Sequence, residues 1–329
     1  MSSSSNAKPL KVVNKTVIAL TAYPQFLGDP TNLEELQKKI NRYFAQMVEI
    51  LFKKKDGDES DSTAFQLANE IGHSNLIMLG LDNLLNLSSE QRKQFAIIFT
   101  GSIAQQSQSE HPVATWIQNN PTVIDKILSF YDHPELAVCT GEMLRQCARY
   151  EGPAKELLTD QRLDKLFTYF FAPNFDVSAD SFATFRELLL NAPQAEEFLK
   201  ANNESIIKRL HSTLIEENYA MCRQTLKLIG EIIITYQSFQ ETYLADPRNL
   251  MVIMDLMASS YHNISMEAFH VFKLFVVNEH KPESIVKILR ANAEKLIPYI
   301  NDLLGEVEDE DLKIEKDYLL MQLGMLIPK

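Results

Sequence analysis

Four helix-like segments in the second half of the chain, TGEMLRQCARY, SFATFRELLLN, TLKLIGEIIIT and FHVFKLFVVN, can be laid over one another with Met143, Phe185, Leu228 and Phe272 as anchors. The anchors stand 42, 43 and 44 residues apart. A period of roughly 40–47 residues is the length of a two- or three-helix repeat. One such unit cannot bury its apolar face alone and must stack on its neighbours. The spacing therefore predicts a row of stacked helices with a curved surface suited to binding another protein.

The remainder of the chain fits the same plan. Residues 1–8, MSSSSNAK, are small and polar and are expected to form a disordered tail. The segment NLEELQKKINRYFAQMVEILFKK (32–54) places Leu33, Leu36, Ile40, Phe44, Met47, Ile50 and Leu51 at helical spacing. Asp29, Pro30 and Thr31 suit its entrance. A charged loop, KKKDGDESDST, follows. Beyond it apolar-periodic segments alternate with short breaks, and Pro112, Pro121, Pro134, Pro153, Pro193, Pro247 and Pro282 each sit near a helix start. Strand-like alternation is almost absent. The expected fold is all-α, an armadillo- or HEAT-like α-solenoid of roughly 14–18 helices, with residues 9–329 as a single domain. The segment HNISMEAFHVFKLFVVN is apolar nearly all round, so it should lie sandwiched between layers.

Composition removes several function classes. Among 329 residues there are 10 glycines, and no two are close enough to write GxGxxG or GxxxxGK[ST], so dinucleotide and P-loop phosphate sites are not expected. A net charge of −12 without any long Lys/Arg block argues against nucleic acid and anionic lipid as partners. Cys139, Cys147 and Cys222 form neither CxxC nor a zinc-finger spacing, and an odd count is no disulfide framework; they read as reduced, buried thiols of a cytoplasmic protein. No uninterrupted apolar stretch approaches the ~18–20 residues that span a bilayer.

Catalytic motifs are equally scarce. DGDESDSTAFQL (56–67) resembles a calcium loop at its first, third and fifth positions, but Asp61 stands where glycine is needed and Leu67 where glutamate is needed. It reads as a solvated charged loop. The closest pair of the seven histidines is His262 and His270, eight residues apart, which excludes HExxH. GxSxG, HRD and DFG are missing. No enzyme activity, cofactor, metal or small-molecule substrate is expected.

Two polar or semi-polar clusters remain. Arg223 and Lys227 stand at i and i+4, opposite Leu226, Ile229 and Ile233, and Tyr219 extends their stripe by a turn. Arg145 and Arg149 repeat the relation one unit earlier. Such a stripe fits either an ordinary solvated helix face or a cationic groove for an acidic partner, arginine being suited to bidentate carboxylate contact. Tyr236, Phe239, Met251 and Met254 gather around TYQSFQETYLADPRNL and fit either inter-repeat core or an adaptable pocket for a partner's aromatic anchor.

The segments PELAVCTGEMLRQCARYEGPAKELL (134–158), NFDVSADSFATFRELL (174–189), ENYAMCRQTLKLIGEII (217–233) and NISMEAFHVFKLFV (263–276) closely resemble the mouse protein 25 family of scaffolds, also called calcium-binding protein 39. The resemblance is dense from about 130 to 300, weaker from 32 to 130 and negligible before that. It implies a right-handed superhelix that is not an enzyme. Such a scaffold binds sterile-twenty-like protein kinases or a related pseudokinase on its concave face and favours the active kinase, in signalling for morphogenesis, polarity and cell division. The concave-face contacts fall on Phe175, Tyr219 and Arg223, beside Lys227. A C-terminal pocket for a Trp-Glu-Phe tail falls on Tyr236, Phe239 and Met254. Tyr236, Met251 and Ala291, next to Arg290, stand where the family carries basic residues, and these departures bear on recognition of the tail's glutamate. An adaptor that tethers polarity or cytoskeletal proteins without touching kinase catalysis is the second reading.

Overall fold

The computed structural model of the chain describes residues 7–52, 59–108, 110–215, 218–303, 305 and 310–327. Residues 1–6 of the expected tail, 53–58 of the charged loop and, with them, Asp56 to Asp58 of the calcium-loop-like stretch lie outside the described residues. Two compact units are present, 1–195 and 196–329. Among the described residues there is no strand, only an isolated bridge between Ser107 and Glu110.

The first unit holds α1 (Ala7–Ala22), α2 (Pro30–Phe52), α3 (Glu59–Gly72), α4 (Leu76–Asn83), α5 (Ser89–Ile103), α6 (Pro112–Asn119), α7 (Thr122–Ser129), α8 (Ala137–Cys147), α9 (Glu151–Leu157), α10 (Asp160–Thr168) and α11 (Phe175–Asn191). Every third helix stacks on the next of its kind. One row runs α2, α5, α8, α11; a second runs α3, α6, α9; a third runs α1, α4, α7, α10. Each repeat therefore contributes three helices, the armadillo arrangement, and each row buries what a lone repeat would leave in water.

The second unit holds α12 (Ala195–Ile215, its first residue on the boundary), α13 (Tyr219–Thr235), α14 (Gln237–Ala245), α15 (Pro247–Met257), α16 (His262–Val277), α17 (Glu283–Leu303) and α18 (Glu310–Gly324). The chain of α12 leaves helical geometry at Asn202 (φ −127°, ψ 18°), so this segment supplies two helices and keeps the count at three per repeat before α13. Here α16 packs on α13 and also meets α15, α17 and α18. That is the sandwich its all-round apolar sequence requires: Phe269, Phe272 and Phe275 are all fully buried.

The repeat anchors Met143, Phe185, Leu228 and Phe272 sit on α8, α11, α13 and α16, and none is exposed to solvent. Local signals set the helix starts. Asn174 accepts a hydrogen bond from the Val177 amide and Asn218 one from the Met221 amide, satisfying amides that a helix start leaves without partners. Ser88 and Gln91 form a reciprocal capping box, and Pro112 and Pro247 open α6 and α15. The helix α1 is not anticipated from the sequence. Lys8, Lys11 and Lys15 interrupt its apolar pattern, but they occupy its exposed side, while Val12, Val13, Thr16 and Leu20 are buried.

Candidate partner-binding faces

On α13 the residues Tyr219, Arg223 and Lys227 follow one another at intervals of four and so form a single stripe. The stripe faces α16. Asn263 Nδ2 donates to the Tyr219 hydroxyl at 2.9 Å, and the Tyr219 ring lies 5.3 Å from that of Tyr261. One turn along, Arg223 Nε donates to Glu267 Oε1 at 3.2 Å, and Lys227 Nζ stands 3.6 Å from the same oxygen. Both Tyr219 to Asn263 and Arg223 to Glu267 are steps of 44 residues, one repeat length. Stacked repeats thus pair equivalent positions, with a cation on one helix meeting a carboxylate on the next.

Exposure is uneven across the arrangement. Glu267 is largely buried, its side chain only 13% exposed, whereas the Arg223 and Lys227 side chains are 39% and 46% exposed. Two cations share one carboxylate. The terminal guanidinium nitrogens of Arg223 have no hydrogen-bond partner among the described residues, so its fork is open to an incoming carboxylate. Beside the stripe lies a groove of about 320 Å³ lined by Lys227, Glu231, Ile234, Glu267, His270 and Lys273, among others. Burial, and then the neighbouring Lys273, hold the His270 imidazole below its ordinary value, so it stands neutral between the two lysines.

Phe175 belongs to the first unit, where it opens α11 with its ring 73% exposed. The Asn174 cap fixes the start of the helix there and leaves the ring outside the buried face formed by Val177, Phe182 and Phe185. In the same unit the first pair of arginines is neutralised internally. Arg145 makes a two-pronged contact with Asp180, Nη1 to Oδ1 and Nη2 to Oδ2, both at 3.1 Å. Tyr131 donates to Asp180 Oδ1 at 2.7 Å, and Arg145 Nη1 also donates to Thr184 at 3.0 Å. Burial, and then the Asp180 carboxylate, push the Tyr131 phenol well above its usual value and keep it a donor. Arg149 donates to Glu187 at 3.0 Å.

The sequence-defined C-terminal pocket is redistributed. A cleft of about 200 Å³ is lined by Met254, Met257, Asn292, Lys295, Leu296 and Tyr299, with Ala258. Tyr299 closes one side by donating its hydroxyl to the Met257 carbonyl. Of the residues singled out from sequence only Met254 lines this cleft. Phe239 is fully buried and stacks on Tyr243 at 5.7 Å, and Tyr236 is nearly buried at the junction of α13 and α14. Met251 is half exposed. Lys295 was not recognised in the sequence. It stands one turn beyond Ala291, so stepping four residues from that position is the signal that finds it. It brings an ammonium group, with no ion-pair partner among the described residues, to the cleft wall. Glu267 was likewise missed, and the 44-residue step from Arg223 points to it.

Among the described residues no three His, Cys, Asp or Glu side chains converge as metal ligands, and no helix is long and apolar enough to cross a membrane.

A calcium-binding protein 39-like protein of Mus musculus is 33% identical over 294 residues, covering 88% of this chain and 87% of its own. A Mo25-like protein of Schizosaccharomyces pombe is 31% identical over 299 residues, covering 90% of both chains. Among solved structures, Kap121p bound to RanGTP aligns with a TM-score of 0.48 at 12% identity, over 94% of this chain and 34% of that one. A family model described as Mo25-like matches residues 1–327, and with these relatives it shows that the chain belongs to the Mo25-like family.

Proposed function

We propose that the chain is a non-catalytic scaffold that binds a sterile-twenty-like protein kinase, or a related pseudokinase, and activates the kinase allosterically in signalling for morphogenesis, polarity or cell division. Membership of the Mo25-like family supports the scaffold role. The observation that carries the binding role is the open guanidinium fork of Arg223, held by Glu267 beside Tyr219 and Lys227. It offers planar, bidentate recognition of a partner carboxylate. Phe175 adds an exposed aromatic anchor in the first unit. In the C-terminal cleft Met254 supplies an adaptable wall, with Tyr236 and Phe239 packed behind as support, and Lys295 compensates for the basic residues absent at Tyr236, Met251 and Ala291.

Activation by a scaffold is a population shift. It requires tighter binding to the active kinase conformer, and about 2.7 kcal/mol of difference gives a hundredfold bias. The test is kinase turnover with purified partners, with and without the scaffold, for the parent chain and Arg223→Ala, alongside a thermal melt. Activation that falls about tenfold in the variant at unchanged melting supports the role of Arg223. Binding without any change of turnover replaces this reading by that of a tethering adaptor. Residues 9–329 act as one cytoplasmic domain in this proposal, which a single cooperative melt and cell fractionation check.

A further inference from the structure

The last helix of the second unit has two apolar faces. Leu319 and Leu323 are its buried residues, and α18 packs on α16 and α17. A second set, Ile314, Tyr318, Met321 and Met325, recurs at steps of four, three and four, which at 3.6 residues per turn draws one continuous stripe running just past the end of the helix. All four are exposed, at 66%, 48%, 47% and 67%. A lone exposed apolar side chain is ordinary, but four aligned over three turns form a patch that soluble surfaces usually cover.

The charges around the stripe are one-sided. On the helical wheel Glu310 and Asp317 border one edge, Asp311 and Glu315 the other, while Lys313 and Lys316 lie turned away from it. Lys313 reaches back to Glu310 at 2.8 Å, and Lys273 of α16 reaches Glu315 at 2.5 Å. The Lys313 pair is exposed, of the kind that contributes little and yields readily to a better partner, while Lys273 is partly buried. Asp317 has no charged partner among the described residues.

We infer that the exposed face of α18 docks an amphipathic helix of another protein whose apolar stripe is rimmed by lysine or arginine. Helix-in-groove recognition uses anchors at the i, i+3/i+4, i+7 spacing found here, and the acidic rims select basic ones. Charge weighs against the other occupants. A second copy would bring a further net charge of −12 and set carboxylate rims against carboxylate rims, and anionic lipid would meet the same repulsion. None of the four apolar residues lines the groove beside the Arg223 stripe or the Met254 cleft, although the Lys273 to Glu315 pair joins one rim to that groove.

The experiment uses the full chain and two fluorescent synthetic helices of about four heptads, both with leucine at a and d, one with lysine and the other with glutamate at e and g. Fluorescence anisotropy is expected to show the lysine-rimmed helix binding at least about tenfold more tightly than the glutamate-rimmed one. The double substitution Ile314→Ser with Met325→Ser should weaken that binding by about tenfold, and Asp311→Lys with Asp317→Lys should reverse the preference between the two probes. Ile314 and Met325 are exposed, so the serine variant should melt with the parent chain, while the charge variant, which places a lysine in the first turn of α18, is read by the ratio of the two affinities. Equal binding of the two helices, or binding untouched by either variant, overturns the proposal. It is overturned equally by a concentration-dependent dimer in sedimentation that Ile314→Ser with Met325→Ser dissolves, or by sedimentation with phosphatidylserine vesicles that the same variant abolishes. Those results would assign the face to a second copy or to lipid.

Discussion

The α8–α11 interface of the first unit and the α13–α16 interface of the second begin from the same sequence motif and end with different charge. Each presents two basic side chains four residues apart: Arg145 and Arg149, then Arg223 and Lys227. In the first unit the facing helix answers with two carboxylates, Asp180 and Glu187. In the second it answers with Glu267 alone. The first interface is a closed clamp, reinforced by Tyr131 and Thr184; the second leaves the terminal nitrogens of Arg223 without a hydrogen-bond partner among the described residues. A basic i, i+4 pair in a helical repeat therefore says nothing of binding until the carboxylates of the next repeat are counted.

The largest effect that would test this contrast is expected from Asp180→Ala. It leaves the Arg145 guanidinium and the Tyr131 hydroxyl without their shared acceptor, and should destabilise the chain by about 3–5 kcal/mol in urea unfolding. A loss below ~1 kcal/mol would remove the distinction between clamp and open stripe. Next comes Arg223→Ala, which should lower partner affinity about tenfold, ~1.4 kcal/mol, with stability within ~0.5 kcal/mol of the parent. Glu267→Ala is expected to reduce stability by about 1 kcal/mol or less, because its partners are half exposed. The same substitution removes the carboxylate that Arg223 and Lys227 share, so partner binding should depend more steeply on salt. A variant whose salt dependence is unchanged would show that the stripe does not meet an acidic surface.

The smallest effect concerns pH. His211 lies against the Tyr243 hydroxyl at 3.0 Å, and burial holds its imidazole below the ordinary value. The unfolded chain then takes up the proton more readily than the folded one. Stability contributed by the neutral ring is present above the unfolded value of roughly 6.5 and is lost as pH falls through the folded one. Urea unfolding should show a decline on acidification that His211→Asn flattens.

The repeat was legible because its signal is carried by single buried side chains. Met143, Phe185, Leu228 and Phe272 are all inaccessible to water, and only large apolar side chains fill such positions without leaving a cavity or a desolvated polar group. Of the stripe expected on α2, Leu36, Ile40, Phe44, Met47 and Leu51 are buried, while Leu33 and Ile50 are partly exposed at its margins. Of the prolines expected near helix starts, Pro112 and Pro247 open α6 and α15. What no single position shows is the register between helices, which only the repeat offset discloses. Glu267 meets Arg223 only because the repeats stack with a 44-residue offset, and Phe239 turns into the core because Tyr243 stacks on it. The helix α1 was hidden for a related reason: three lysines break its pattern in one dimension but fall on one side of a cylinder.

The tether between Arg223 Nε and Glu267 has a further consequence for affinity. A long side chain that is free in solution must surrender rotamers when a ligand captures it, at about 0.5–1.5 kcal/mol for each one immobilised. Anchored through its Nε to a carboxylate that the fold itself holds almost out of water, this arginine has made part of that surrender before any partner arrives. Its two remaining nitrogens stand aimed in advance, so an incoming acid meets a rigid receptor instead of a whip.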